Sequence, residues 1–386
     1  MYLLTGAACI LVGSSMSFLM DHFQVTMAQV AVIQSAYALG RVSTVFLTGW
    51  VTERFGVKFT LFSGVALLLS FLVGIPLTHS YGVGLLLAFL GGAGMGSQDT
   101  CCPVIISAVF PKRYASMLSA GQALFGAGCF LPPLIMSVAT AMKLPFYVSY
   151  YVFGAVALIM LLALPFMHLP EMEELSTEGG HVAHAMKLRC KWLGIAAFIV
   201  VTFAYSGIVN TINLYTATFS ETLDVAPAIA ANLLTVFNLS SMIGSLCFTV
   251  ILQKVKPIMV LIGNCIIAFI ALGVAVFVNN AIGYFLGLAV AGFVLGVLFS
   301  VIVTLATGLN PAHASLAAAG VAIVSGASDT VNPLITGPLL TNKGIHMAYP
   351  YAMVVIAITL AAALLFHGLT VPAAAQHSVT NNKEDK

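Results

Sequence analysis

Three ionisable side chains interrupt otherwise apolar stretches of this sequence: Arg41, Asp99 and Asp329. A charge at the centre of a membrane-crossing helix costs about 2.5–3.5 kcal/mol, so each is a functional candidate by default. Aspartates in such a place can exchange protons, which makes Asp99 and Asp329 the candidate coupling sites. Arg41 offers a planar fork that matches a carboxylate. Polar neighbours line up with these charges. Gln34, Tyr37, Arg41, Thr44 and Thr48 step by three, four, three and four, which is one helical stripe. Ser325, Ser328 with Asp329, Asn332 and Thr336 form another. Gly92, Gly96 and Asp99 share a face with Gln98 beside them, and Ser206, Asn210 and Asn213 share a fourth. Amides and phenols suit a hydroxylated or carboxylated solute. The solute-binding candidates are therefore Arg41, Gln34, Tyr37, Gln98, Asn210, Asn213 and Asn332. The same patterns would also serve a buried ion pair and amides that only tie helices together.

Other chemistries find little support. The seven cysteines lie in or beside apolar runs without a C-x-x-C, as small buried hydrophobes do. His181-x-x-His184 lacks a neighbouring carboxylate or thiol, so no metal site and no cofactor are expected. Neither H-E-x-x-H nor G-x-S-x-G with partners is present. Asp99 and Asp329 each follow a glycine at a distance of three, but without the Tyr-Asp and Gly-x-Gly-Asp patterns that intramembrane aspartyl proteases resemble. An enzyme is not expected.

What must position these residues is a membrane bundle. The chain has 386 residues, 60% hydrophobic and 7% charged, against about 25% charged in a soluble domain. Twelve apolar runs predict twelve transmembrane helices, an all-α polytopic membrane protein of two pseudo-symmetric six-helix bundles. With the N-terminus inside, eleven of the fourteen Lys and Arg fall on the cytoplasmic side, so both termini are expected there. The expected domains are an N-terminal bundle over 1–167, a cytoplasmic linker over 168–191, a C-terminal bundle over 192–370 and a disordered cytoplasmic tail over 371–386. Met1-Tyr2 opens directly into the first run without a basic flank, and the expectation is a truncated first helix.

Between the second and third runs lies Gly49-Trp50-Val51-Thr52-Glu53-Arg54-Phe55-Gly56-Val57-Lys58. Gly49 permits close approach of helix ends, Gly56 supplies a turn, and Arg54 and Lys58 resist crossing the bilayer. The pattern G-x-x-x-[D/E]-R-x-G-x-[K/R] resembles the loop between the second and third helices of major facilitator superfamily transporters. Glu53 stands where that family usually has Asp. The resemblance implies a gating loop made of Gly49, Glu53, Arg54, Gly56 and Lys58.

The halves also repeat. Ala115-Ser116-Met117-Leu118-Ser119-Ala120-Gly121 matches Ala314-Ser315-Leu316-Ala317-Ala318-Ala319-Gly320, and Pro133-Leu134-Ile135 matches Pro333-Leu334-Ile335 after a one-residue slip. Parallel repeats of this kind place a solute site between the halves near mid-membrane. Leu39-Gly40-Arg41, Asp99-Thr100, Phe110-Pro111-Lys112 and Pro333-Leu334-Ile335-Thr336-Gly337 resemble a subgroup of bacterial inner-membrane permeases, the YdiM/YdiN type. In the family's fold, spans two and eleven face each other, while spans one, four, seven and ten line the cavity. Span four lacks the arginine that many members carry there.

The expected function is secondary active transport of a small polar or anionic organic metabolite by alternating access, as proton-coupled import. Efflux and a non-transporting sensor are the alternatives. Span five carries only part of the glycine- and proline-rich motif of exporters, and a fixed arginine with amides favours a polar solute over a greasy cation. The expected partners are the solute, protons and the lipid bilayer of the inner (plasma) membrane, with no nucleic acid. The expected working unit is a monomer.

Overall fold

The computed structural model describes residues 1–109, 114–167, 190–223, 232–252, 254–309 and 314–370. The linker as far as residue 189 and the tail lie outside these residues, as does Phe110-Pro111-Lys112. Helices α1 (Tyr2–Ser14) and α2 (Met16–Phe23) make span one, and α3 (Met27–Leu77) makes spans two and three. Spans four to six are α4 (Tyr81–Val109), α5 (Tyr114–Ala141) and α6 (Tyr147–Ala163). Spans seven to nine are α7 (Lys191–Ser220), α8 (Asn232–Ile251) and α9 (Pro257–Val278). Helices α10 (Ala281–Leu295) and α11 (Leu298–Leu309) make span ten. Spans eleven and twelve are α12 (Ala314–Lys343) and α13 (Ala348–Leu369). Twelve spans in two sets of six is the expected all-α architecture.

Among the described residues, seven spans are long and apolar enough to cross a membrane, or eight with the α1–α2 pair, which is bent by 64°. Spans two, four, eight and eleven are not among these eight, and three of the four carry Arg41, Asp99 and Asp329. The bend in span one falls at Ser15, whose hydroxyl donates back to the Leu11 carbonyl at 2.6 Å. Back-bonding of this kind bends helices.

The charged hairpin expected between spans two and three proves shorter than the sequence suggested. Two helices meet there across a kink, and only Gly56 leaves helical geometry, with φ 82° and ψ 161°. A side chain rarely adopts that conformation, which is why a glycine stands there. At the other end of span two, Thr26 caps the helix reciprocally with Gln29.

The internal repeat extends to atomic contacts, at a constant offset of 200 residues. In span four, Gly92 presses on the Tyr37 carbonyl and Gly96 on the Arg41 carbonyl. In span ten, Gly292 presses on the Phe237 carbonyl and Gly296 on the Ser241 carbonyl. A methyl group at any of these four positions would overlap backbone, so the glycines exist to let helices touch. The halves meet along two equivalent seams. Between spans two and eleven, Gly326 lies on Val42 and Gly337 on Ala28 and Ala31. Between spans five and eight, Gly126 lies on Met242, and Asn232 donates to Ser137 at 3.0 Å. Gly13 of span one meets the backbone of Asn213 and Leu214 of span seven. All these contacts lie between mid-span and the end away from the linker, hereafter the far end.

Candidate functional site

Arg41 sits where span two crosses span four and faces span eleven. Its Nε donates to Asp99 Oδ2 at 2.7 Å, and its Nη1 lies 4.0 Å from Asp329 Oδ2. The close crossing at Gly92 and Gly96 brings Arg41 and Asp99 together. The seam contact of Gly326 with Val42 brings Asp329 opposite them. One guanidinium thus stands between two carboxylates from different halves. The three side chains keep 31, 29 and 26% of their surface accessible, so they face an open cleft and are not sealed into packing. Its formal charge is −1 with both carboxylates ionised.

The amides flank this cluster unequally. Asn210, on span seven, stands beside the Asp329 carboxylate and accepts from Asn332 Nδ2 at 3.3 Å. Asn213 is half-buried and accepts from Asn238 Nδ2 at 2.9 Å. Cys9, on span one, stands close enough to Arg41, Asp99 and Asp329 to feel all three charges, and its thiol lies 3.4 Å from Met95 Sδ.

Other candidates turn away from the cleft. Tyr37 is buried, packs at a tilt against Phe71 with ring centroids 5.2 Å apart, and donates to Met95 Sδ at 3.3 Å. Gln98 is 1% exposed, and neither amide atom has a partner among the described residues. It is next to Asp99 in sequence but about 100° away around the helix, which carries it into the N-terminal bundle. Gln34 is buried with Oε1 unpartnered. Asn332 is fully engaged: Nδ2 reaches Thr211 Oγ1 at 2.9 Å, the Gly207 carbonyl at 3.2 Å and Asn210 Oδ1 at 3.3 Å, and Oδ1 accepts from Tyr351 at 2.8 Å. It belongs to a ladder joining spans seven, eleven and twelve, with Ser328 on the Phe203 carbonyl at 2.6 Å and Tyr215 on Thr336 at 2.9 Å.

In the loop at the linker end, Lys58 donates to the Pro165 carbonyl at 2.7 Å, fastening span three to the end of span six. Arg54 is exposed and lies over the Phe55 ring at 5.6 Å. Gly49 and Glu53 lie in the helix, and the surroundings of their side chains fall outside the described residues. Cys9, Met95 and Tyr351 were not among the sequence candidates. Sulfur in an apolar run reads as core, and a tyrosine near a span end reads as an interfacial anchor.

The family profile described as Major Facilitator Superfamily matches residues 1–328. An uncharacterized MFS-type transporter of Bacillus subtilis, YfkL, is 23% identical over 372 residues, 95% of this chain and 94% of that one. A TsgA homolog of Erwinia tasmaniensis is 25% identical over 355 residues, 90% and 88% of the two chains. Among solved structures, a D-xylose-proton symporter superposes with a TM-score of 0.75 at 16% identity, covering 96% of this chain and 95% of that one. The inward-open xylose transporter XylE from E. coli superposes at 0.76 with 13% identity, covering 96% and 94%. At these identities the structural likeness shows the fold alone. With the profile spanning most of the sequence, the chain belongs to the Major Facilitator Superfamily, as an integral membrane protein and secondary transporter of small-molecule solutes that is not an enzyme.

Proposed function

We propose that this transporter imports a small polar or anionic organic metabolite together with protons, by alternating access. The observation that carries the reading is Arg41 held between Asp99 and Asp329 at an open cleft. With both carboxylates ionised, Arg41 is committed to Asp99 and the site repels anions. A proton on either carboxylate brings the cluster to neutrality and releases donors of Arg41 for a solute carboxylate or hydroxyl. Proton and solute then favour each other's binding, which is the linkage a symporter needs. Because the Arg41–Asp329 contact crosses a seam between the halves, its charge state also weighs on which end opens.

The contacting residues in this reading are Arg41, Asn210 and Asn213, while Gln34, Tyr37, Gln98 and Asn332 act through the frame. The loop of Gly49, Glu53, Arg54, Gly56 and Lys58 governs switching. Closure at the far end fits a cytoplasm-facing state of a plasma-membrane protein with both termini inside. The bundles are 1–167 and 192–370, and the cytoplasmic segments 168–191 and 371–386.

Uptake profiling of a deletion strain across sugars, organic acids and amino acids would name the solute. Proteoliposomes with an imposed pH gradient then test the mechanism. Asp99→Asn should abolish gradient-driven accumulation and keep counterflow. Retained accumulation would move the coupling role to Asp329, and net extrusion by the parent would make it an exporter.

A further inference from the structure

At the bend in span one, Ser15 leaves helical geometry, with φ −117° and ψ 17°. Back-bonding alone does not make so large a bend. Thr202 and Thr211 donate to the carbonyls four residues before them at 3.0 and 2.8 Å, yet span seven runs unbroken from Lys191 to Ser220. Ser15 has a second partner. Its hydroxyl proton is committed to the Leu11 carbonyl, which can only accept, so the Tyr150 hydroxyl on span six donates to Ser15 Oγ at 3.0 Å. Both residues are fully buried. A like pair, Tyr215 on the back-bonded Thr336, stands on the unbroken α12, so such a pair secures a bend and does not create one. Beyond the bend, α2 touches both halves of the molecule. His22 Nε2 donates to the Thr78 carbonyl at 2.8 Å and the Phe23 ring lies against Gly84, both in the N-terminal half. Ser17 reaches Thr218 of span seven, in the other half, at 3.5 Å.

We propose that α2 is the closing element of the far end, and that Tyr150 is the positioning residue that holds it across the halves through Ser15. The inference rests on the alternating-access reading, in which the two ends open in turn. The internal repeat supplies independent support. Two hundred residues after Ser15 and Tyr150 stand Tyr215 and Pro350, and span seven passes through Tyr215 without a break. The fold therefore requires neither the bend nor the hydroxyl pair that secures it.

Hydrogen–deuterium exchange of the purified full-length protein, read by mass spectrometry, needs neither solute nor label. Tyr150→Phe keeps the ring that packs on Phe71 and Phe146 and removes only the hydroxyl. Exchange in α2 and at the far end of span seven should rise by roughly fivefold, as the loss of one net hydrogen bond allows. Exchange at the linker ends of spans four and ten should fall in the same sample, because a far end that opens more closes the other end more. Ser15→Ala should move the same segments in the same directions, and the double variant no further than the larger single. Tyr215→Phe is the control, since it removes the like hydroxyl from a helix that is not bent. Faster exchange confined to α2 and span six, no change in either variant, or an equal reciprocal shift in the control overturns the proposal. Gly13→Ala tests alternating access separately, because its methyl wedges against the Asn213 backbone and opens the far end without Tyr150. If that wedge also leaves the linker end unchanged, the ends are uncoupled and alternating access fails. If the wedge couples them and Tyr150→Phe does not, only the role of Tyr150 fails.

Discussion

Between spans two and eleven, Gly326 rests on Val42; between spans five and eight, Gly126 rests on Met242. The two seams are related by the 200-residue repeat and built to the same backbone plan. Their chemistry differs. Where the first sets Arg41 before Asp329, the second has Ser241 and Cys129 at the equivalent positions, and Phe299 in place of Asp99. The glycine contacts present on both sides are what the architecture requires, because helices without a hydrophobic drive between them associate through close backbone packing. The charges present on one side only are additions to that architecture, and they sit where the halves part.

The sharpest way to break this comparison is to remove the charge. Arg41→Ala leaves two carboxylates uncompensated and should cost about 3–5 kcal/mol of stability with complete loss of transport. Ser241→Ala should stay within about 0.5 kcal/mol. Denaturant titration of both purified variants measures the difference, and equal effects would erase the distinction between the seams. Next in size are the shared contacts. Gly92→Ala and Gly292→Ala each force a methyl onto backbone and should cost about 1–3 kcal/mol, alike on both sides. A harmless change on one side alone would show that the repeat is not mechanically equivalent.

Gly56→Val should cost about 1–3 kcal/mol through its positive φ and slow exchange while equilibrium solute binding survives. Equal loss of binding would place the loop in the solute site instead. The smallest effect is expected at the far end, where Asp21 and Glu221 are themselves counterparts. Burial pushes the Glu221 carboxyl above its ordinary range, Ser17 pulls the other way through a hydrogen bond, and Asp21 adds to the rise. A raised value means the neutral form is favoured in the closed molecule. Far-end closure should therefore be firmest in acid and weaken as pH rises from the usual carboxylate range through the raised value. Melting temperature against pH should show this slope, and Glu221→Gln should flatten it.

The three charges were legible because nothing else in the apolar runs resembles them, and the cluster they form on folding joins the stripes the spacing had marked. Asn332 was legible as a face but not as a role. Helical periodicity says which side a residue occupies, not that Gly207, Thr211 and Tyr351 will satisfy it there. Gln98 misled by adjacency: one step along a helix separates cleft from core. The glycines of spans four and ten press on carbonyls of neighbouring helices. Which carbonyl each would meet depended on the partner helix, and sequence spacing within one span carries no information about that.

Finally, a turn consisting of Gly56 alone has no slack. Spans two and three are two helices meeting at a single joint, so their rotational phase is set by residue count and not by a loop that could absorb error. One inserted residue beyond Gly56 would turn span three by about 100°. Gly64 would then no longer lie against Gly94, and Lys58 would swing away from the end of span six. Length at this joint is therefore as strictly constrained as chemistry is at Arg41, and an epitope tag placed there should be tolerated less well than a point change at either neighbour.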